Sequence, residues 1–510
     1  MRPFRPLALL VLFSGCHNDA LSLTDGAIAD SAVAPDFARS PDLAPPPLVT
    51  ITGTRSINWV NQSKEDLDTF DLSGTNIEAL VPDGQGGFTR YPGDGAPNSM
   101  WSIPNVPAGL HYIHYSNWLY VITDATNIDL GEDVAGRRDR TLAMSTTRLI
   151  VNATNLAPWQ SGDDLELYAE NTGGAFYCLE CRASNGPMAG DTALNGLTVD
   201  YLQASNRSLI DAGKGDVALL LQTLAQTTPN QNSYSVLGRM ATLAPFTQMD
   251  GAAGMAMGAF IDQPMNVKQS IQWTRSAFTA LRDSVTPNSI TATEFLAVQA
   301  QPRGLSHGTL FYTARLLEVP SNAAATDLDL GTVQFANPFP ASWGVAAFAN
   351  LFVARTYAAS ASQPMTAYGE VWSEDEANAF FSKPVAPTLS PPSKPLVDGM
   401  DAFQDQMVAT PFTITWQPPT LGTPTTYELI LYHLISKQGV TSSQYVAEIH
   451  TIPSVTSITV PAELLINGER YYFMLAAENR AGVDAATQPL RRSYPRGGGE
   501  LLSGTLTVSP

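Results

Sequence analysis

Residues 465–482 read LINGERYYFMLAAENRAG, and this stretch decides the fold of the C-terminal part of the chain. From Tyr471 onward, apolar side chains recur at every second position, at Phe473, Leu475 and Ala477. Such alternation is the period of a β-strand that turns one face toward a core. The stretch therefore predicts a half-buried strand in a β-rich domain.

Three earlier segments carry the same alternation. Their apolar positions are Phe412, Ile414 and Trp416, then Tyr427, Leu429 and Leu431, and finally Ile458 and Val460. Short alternating strands separated by turns are typical of β-sandwiches.

Together these segments resemble a fibronectin type III domain over residues 384–510, the C-terminal module. The resemblance implies that Trp416 is the core tryptophan and Tyr471 the tyrosine corner, both with structural roles. Such domains in bacteria are spacers or binding modules, and the sequence leaves both roles open.

The remaining sequence also favours strands. Residues 146–383, the middle region, contain recurrent strand-like runs and form one domain or two. One helix is predicted from Trp273 to Val285, ahead of Pro287, and the run from Asp216 to Gln226 is left open between a helix and a hairpin. Residues 49–145, the N-terminal module, include WSIPNVPAGLHY at 101–112, which resembles the end of carboxypeptidase-regulatory-like sandwich domains. The predicted fold class is mainly β: several immunoglobulin- or fibronectin-like sandwiches with few short helices.

The N-terminus has the pattern of an export signal. Residues 1–15 place two arginines before a short apolar run, as in a secretory signal peptide. The next residue is Cys16, and residues 13–16 resemble the lipobox of bacterial lipoproteins, which implies a lipid anchor on Cys16. By the same resemblance, His17 in place of Asp indicates the outer membrane. A plain secreted protein with an incidental cysteine is the alternative.

Residues 16–48 follow the signal peptide and are rich in Ala, Asp and Pro. They lack the aromatic residues and the periodicity of a core, so they are predicted to be a disordered tether behind the lipidated cysteine.

Cys178 and Cys181 are the only other cysteines, and in an exported protein they predict a disulfide. A thioredoxin-like role is an alternative, but it requires a CxxC pair that opens a helix within a βαβ unit, whereas the flanks here have strand and turn patterns. Zinc binding would recruit His111 and His114. Residues three apart on a strand point to opposite faces, which disfavours that set.

Gly304-Leu-Ser306-His-Gly308 matches the GxSxG pattern of a hydrolase nucleophile elbow. That motif requires a strand before it and a helix after it, whereas residues 309–317 have a strand pattern. A hairpin loop is predicted instead, and no catalytic residues are assigned.

Acidic residues outnumber basic ones by 47 to 28, giving a net charge of −19, and no basic run is present. This balance disfavours nucleic acid as a partner. Acidic pairs such as Asp163-Asp164 and residues 374–376 are predicted to be solvated loops or helix caps. No cofactor or metal is predicted. The alternative is a structural calcium ion near Asp327 and Asp329.

Four aromatic residues of the N-terminal module, Trp59, Trp101, Trp118 and Tyr120, would form a sugar-stacking platform if they were exposed in a row. Core burial is the more frequent fate of such residues.

The sequence thus predicts a non-catalytic cell-envelope lipoprotein that displays β-sandwich modules for binding, adhesion or scaffolding. Its partners would be the membrane, through the lipid anchor, and a polysaccharide or protein ligand. One alternative is a carbohydrate-binding accessory protein. Another is an enzyme of unrecognised type, with a pocket of Asp, Glu or His in the middle region.

Overall fold

The computed structural model describes residues 46–509, apart from 62–63, 204–206, 309–312, 321–325 and 360–361. It is 52% strand and 6% helix, which confirms the mainly-β sandwich class with few short helices. The predicted signal peptide, Cys16 and nearly all of the tether lie outside the described residues. Within the described part, none of the helices combines the length and the apolar character needed to cross a membrane.

The N-terminal module is a sandwich of two sheets. Its strands are β1 (Leu48–Thr54), β2 (Ser56–Val60), β3 (Glu65–Thr69), β4 (Ile77–Pro82), β5 (Phe88–Pro92), β6 (Asp94–Gly95), β7 (Met100–Pro107), β8 (His111–Tyr115), β9 (Leu119–Thr123), β10 (Asn127–Asp129) and β11 (Glu132–Ala135). The sheet β10-β1-β7-β6 faces the sheet β5-β4-β8-β9, and β11-β2-β3 form a small third sheet. Ile51 and Trp101 pack against Ile113 and Val121 in the core between them.

The middle region has eighteen of the described elements. They are β12 (Arg148–Thr154), β13 (Asp164–Ala169), β14 (Gly174–Phe176), α1 (Leu179–Arg182), β15 (Leu194–Asp200), β16 (Leu219–Thr227), β17 (Ser233–Thr242), β18 (Ala253–Ala259), β19 (Ile261–Asp262), β20 (Val267–Trp273), α2 (Arg275–Thr279), α3 (Arg282–Val285), β21 (Thr291–Gln301), β22 (Ala314–Val319), β23 (Leu328–Phe335), β24 (Gly344–Tyr357), β25 (Met365–Glu376) and α4 (Ala377–Phe380).

Two hydrophobic cores lie in the middle region, and they share strands. Leu220 on β16 belongs to one of these cores, whereas its neighbour Leu221 belongs to the other. Adjacent side chains of a strand point to opposite faces, so β16 is a wall between the two cores. The middle region is therefore layered, and its two cores are not separable at a single chain position.

The helix predicted from Trp273 to Val285 is shorter than expected and divided. Trp273 is the last residue of β20, where it pairs with Leu328 of β23, so sheet pairing overrides the helical pattern at this position. The remainder forms α2 and α3. The N–H of Leu281 bonds to the carbonyl oxygen of Phe278, three residues back, and this tighter turn separates the two helices.

The C-terminal module is a second sandwich of two sheets. Its strands are β26 (Ser393–Val397), β27 (Met400–Asp401), β28 (Gln406–Val408), β29 (Phe412–Gln417), β30 (Thr426–Lys437), β31 (Val440–Thr451), β32 (Ser457–Val460), β33 (Arg470–Arg480), β34 (Arg496–Leu502) and β35 (Leu506–Val508). The sheet β27-β26-β29-β32 covers one side of the core. Strands β31, β30, β33 and β34 cover the other side. Phe412, Ile414 and Trp416 face this core, as the alternation predicts.

Sheet pairing joins these units to one another. Strand β9 of the N-terminal module runs parallel to β31, from Leu119↔Glu448 to Ile122↔Thr451. Strand β25 of the middle region pairs with β34, from Val371↔Gly499 to Glu374↔Arg496. One sheet therefore continues from the N-terminal module through the C-terminal module into the middle region.

Candidate functional site

A buried charged cluster lies on the face of this continuous sheet that points away from the C-terminal core. Glu428 on β30 is paired with His450 on β31, and Glu448 lies on the same face of β31, two residues earlier. The exposed fractions of Glu428, Glu448 and His450 are 2%, 6% and 3%. Strands present these three side chains to one face because side chains alternate with period two.

His450 and Glu448 are in direct contact. The His450 Nε2 atom lies 2.6 Å from Glu448 Oε1, and the hydroxyl of Tyr445 donates to Glu448 Oε2 at 2.6 Å. The other ring nitrogen, His450 Nδ1, is buried and has no hydrogen-bond partner. The imidazole is thus held by one nitrogen only.

Arg480 lies beside the cluster and is 2% exposed. Its Nε atom donates to Glu478 Oε2 at 2.7 Å, and its Nη1 atom donates to the carbonyl of Pro489 at 2.6 Å. Its Nη2 atom lies 3.9 Å from Glu428 Oε2, beyond hydrogen-bonding distance. The guanidinium therefore bonds mainly to Glu478 and to the loop before β34.

A row of five aromatic rings crosses the sheet next to the cluster, and we call it the aromatic row. Its successive centroid distances are 6.0 Å for Trp118–Tyr445, 6.1 Å for Tyr445–Tyr432, 4.9 Å for Tyr432–Tyr472 and 4.2 Å for Tyr472–Tyr357. Tyr445 is 38% exposed and Trp118 and Tyr432 are half-buried, whereas Tyr472 and Tyr357 are buried. Burial raises the pKa of the Tyr472 hydroxyl far above its usual range. One end of the row is accessible, and it combines side chains of two modules.

The sugar-stacking platform considered as an alternative within the N-terminal module is not formed, and core burial prevails for three of its four residues. Trp101 and Tyr120 are core residues with 2% and 0% exposure. Trp59 is 8% exposed, and the Arg140 guanidinium lies 4.7 Å from its ring centroid. Of the four predicted residues, only Trp118 belongs to an accessible aromatic surface.

The sulfurs of Cys178 and Cys181 lie at disulfide distance, with their Cα atoms 5.2 Å apart. Cys178 precedes the four-residue helix α1, so a short helix does open at the pair, but the flanking strands β14 and β15 belong to different sheets and do not form a βαβ unit. Glu180 lies between the two cysteines in the sequence, and burial raises the pKa of its carboxyl to about 8. Among the described residues, Cys178, Glu180 and Cys181 are one of two groups of potential metal ligands; the other is Glu428, Glu448 and His450.

The two histidines considered for zinc have other contacts. His111 Nδ1 lies 2.8 Å from the carbonyl oxygen of Gly109, and burial lowers the pKa of this imidazole. His114 Nδ1 lies 2.9 Å from Glu78 Oε1, and its ring stacks on Tyr120. Neither histidine joins the cysteine pair in a ligand group within the described part of the chain.

Ser306 lies in the turn that connects β21 to β22, which pair as an antiparallel hairpin. This confirms the hairpin loop and excludes the strand-turn-helix context of a nucleophile elbow. His307 in the same turn lies 3.2 Å from Glu65 and 3.6 Å from Asp133 of the N-terminal module. The neighbouring Asp133 carboxylate raises the pKa of His307, so the turn contributes to an inter-module contact.

The acidic residues considered for calcium take part in local hydrogen bonds. Asp327 Oδ1 accepts from the backbone N–H and the hydroxyl of Ser276, and Asp329 Oδ1 accepts from the N–H of Gly331. These are turn and capping contacts, and neither aspartate belongs to a ligand group among the described residues.

The residues with predicted structural roles are buried. Trp416 is 4% exposed and meets Tyr427 edge-on at 5.2 Å. Tyr471 is 1% exposed, and its hydroxyl accepts from the backbone N–H of Ile466 at 2.9 Å. This bond to the backbone shortly upstream is the contact that a tyrosine corner makes.

A cavity of about 640 Å³ lies between the middle region and the C-terminal module. Arg355, Asp405 and Arg470 are its charged lining residues. Arg355 donates to the carbonyl of Phe403 and to the hydroxyl of Thr286. Its guanidinium therefore stabilises the contact between the middle region and the C-terminal module. This lining is not the convergence of Asp, Glu or His that an enzyme in the middle region would require.

Comparisons with known proteins do not define a family. No protein family and no curated protein matches the sequence. Among solved structures, the chain is similar to the FN1–FN3 domains of chicken CNTN1, with 8% identity, a TM-score of 0.14, and coverage of 90% of this chain and 98% of that one. A TM-score this low carries no argument about function.

The charged cluster was missed at the level of sequence, although a pattern for it was present. Glu448-Ile-His450 places an acid and an imidazole two apart on a strand, hence on one face. Glu428 lies directly before the apolar run Leu429-Ile430-Leu431 of β30. Only the pairing of β30 with β31 brings the three together.

Proposed function

We propose that this protein is a non-catalytic lipoprotein of the cell envelope that displays its β-sandwich modules as one rigid body for binding or scaffolding. The observation that carries the proposal is the continuous sheet, because a chain of independent modules would be linked only by flexible connections.

The joint between the N-terminal and C-terminal modules includes both main-chain bonds and a shared core. The backbone N–H of Glu448 donates to the carbonyl of Trp118 at 2.8 Å. Leu80, Tyr112 and Tyr120 of the N-terminal module pack into the C-terminal core. Reorienting the modules would expose these apolar side chains to water, which opposes hinge motion.

The anchoring part of the proposal rests on the sequence. Cys16 would carry the lipid, and the residues up to 48 would hold the rigid body away from the membrane surface. Buried acyl chains contribute about 0.8 kcal/mol per methylene, so several chains give stable anchoring.

Replacing Cys16 by serine is expected to abolish both acylation and membrane association. Mass spectrometry of the mature N-terminus and fractionation of cells measure the two effects. The matched control is the Cys178→Ser/Cys181→Ser double variant, which keeps Cys16 and is expected to remain acylated. Unmodified wild-type Cys16, or membrane association of the Cys16→Ser protein, would contradict the anchor.

A second candidate function is carbohydrate binding at the exposed end of the aromatic row. Aromatic faces stack on pyranose rings, and Trp118, Tyr432 and Tyr445 form such a surface across two modules. The net charge of −19 favours a neutral polysaccharide over an acidic one.

Replacing Trp118 by alanine is expected to weaken binding of a neutral polysaccharide by about three- to tenfold, because one ring of the row is lost. Affinity electrophoresis against a panel of neutral glucans and mannans measures the change. Met400→Ala removes an exposed apolar side chain outside the row, 65% of which is accessible, and is expected to have no effect. Absence of retardation of the wild type by every glycan would reject this candidate and leave the scaffold role.

A further inference from the structure

We propose that Glu428, Glu448 and His450 bind a divalent transition-metal ion of the zinc class. One ligand atom from each residue lies within 4.8 Å of the other two. Zinc is held by imidazole nitrogen and carboxylate oxygen at about 2.0–2.2 Å, so a single ion can contact three atoms at this spacing. Nothing in the sequence-based prediction anticipates this site.

Burial of the cluster supports a metal ion. Carboxylates as deeply buried as Glu428 and Glu448 are rare and are usually accompanied by cations. Arg480 Nη2 lies 3.9 Å from Glu428 Oε2, and a metal ion would add positive charge shared by both carboxylates. His450 supplies an independent observation, because this buried imidazole has one nitrogen against Glu448 and leaves the other, Nδ1, without a partner. Protons and lone pairs of a buried imidazole are usually satisfied, and coordination is one way to satisfy them.

The ligand set selects the class of metal. Imidazole together with carboxylate suits zinc and its transition-metal neighbours, whereas calcium takes six to eight oxygen ligands. Tyr445 donates to the Glu448 oxygen that does not face His450, and such an outer hydrogen bond orients a ligating carboxylate.

The other group of potential ligands is less suited to a metal. The sulfurs of Cys178 and Cys181 lie at disulfide distance from each other, and a disulfide lacks the thiolates that zinc requires.

The position of the Glu428 cluster also has a structural consequence. A bound ion would link β30 to β31 next to the joint with β9, and so would stabilise the contact between two modules.

The test is titration of the full mature chain, prepared without a polyhistidine tag and stripped with EDTA, with ZnCl₂ in a calorimeter. We expect one equivalent of Zn²⁺ per chain with a Kd at or below the micromolar range, and no comparable heat with CaCl₂. His450→Gln is expected to weaken Zn²⁺ binding by more than about 100-fold. Tyr445→Phe, which removes only the outer hydrogen bond, is expected to weaken it by about tenfold.

The matched control is His433→Gln. His433 also contacts a glutamate, with its Nε2 atom 3.1 Å from Glu469 Oε2, but this pair lies outside both ligand groups. We expect His433→Gln to bind Zn²⁺ like the wild type, and Zn²⁺ to raise the Tm of both.

Three results would overturn the proposal. They are the absence of Zn²⁺ binding by the wild type, equal losses in His433→Gln and His450→Gln, and loss of binding in the Cys178→Ser/Cys181→Ser variant with full binding in His450→Gln. If His450→Gln fails to fold by circular dichroism, the wild-type titration and Glu428→Gln decide in its place.

Discussion

Replacing Arg496 by methionine is expected to lower the free energy of unfolding by about 3–5 kcal/mol, because it removes one partner of a buried ion pair. Arg496 on β34 donates to Glu374 on β25 through Nε at 2.7 Å and Nη2 at 3.1 Å. The exposed fractions of the two side chains are 7% and 8%. Burial lowers the pKa of Arg496, but the neighbouring Glu374 charge outweighs this effect and raises it above its usual range.

This ion pair joins the middle region to the C-terminal module, so its loss tests the rigid joint on which the proposed function rests. Urea unfolding followed by circular dichroism measures the loss of stability. Limited proteolysis measures whether the two units separate, and we expect new cleavage between β25 and β34.

Arg491→Met is the matched control. Arg491 also bridges modules, with contacts of 3.2 Å to Asp129 and 3.0 Å to Asp133, but its side chain is 23% exposed. Solvent screens such pairs, so we expect a cost of at most about 1 kcal/mol. The double variant Arg496→Met/Glu374→Leu is expected to regain most of the lost stability, since both charges of the pair are removed together. Equal costs for Arg496→Met and Arg491→Met would contradict the assigned role of the buried pair.

Replacing Trp416 by alanine is expected to destabilise the C-terminal module by about 3–5 kcal/mol, the cost typical of removing a large aromatic side chain from a core. Trp416 packs among the residues of the C-terminal core and is in edge contact with Tyr427. Because Tyr112 and Tyr120 share this core, the damage is expected to reach the N-terminal module as well.

Differential scanning calorimetry measures this effect, since a several-module protein need not unfold in one step. We expect the transition of the C-terminal module to shift to a lower temperature in Trp416→Ala, together with that of the N-terminal module. Trp118→Ala is the control, because its half-exposed ring leaves a smaller cavity. A Trp416→Ala protein with the wild-type transition would refute the placement of this residue in the core.

Much of the fold was predictable because its strands carry their own local pattern. The alternation at Phe412, Ile414 and Trp416 predicts a strand and identifies its buried face, and both are found. The hairpin around Ser306 was predictable for the same reason, since strand patterns flank the turn. By contrast, Trp273 was assigned to a helix because its spacing with later residues fits a helical period, whereas pairing with β23 places it on a strand.

The candidate site was not predictable in the same way. Glu428 and Glu448 lie twenty residues apart, and the rings of the aromatic row come from distant parts of the chain. Sequence analysis selected Trp118 but grouped it with Trp101 and Tyr120, which the core conceals. Exposure depends on what packs above a side chain, and a local pattern does not contain that information.

The sequence by itself determined the mainly-β class and the buried face of strands such as β29, because each depends on residues close together in the chain, whereas the export and anchoring segment stays a prediction. The tertiary structure alone decided that the modules share one sheet, that Arg496 meets Glu374, and that Glu428, Glu448 and His450 form a cluster. These features depend on which strand edges pair and in which register. Backbone hydrogen bonds that join strands are nearly independent of side-chain identity, so the order of strands across modules follows from packing of the whole chain.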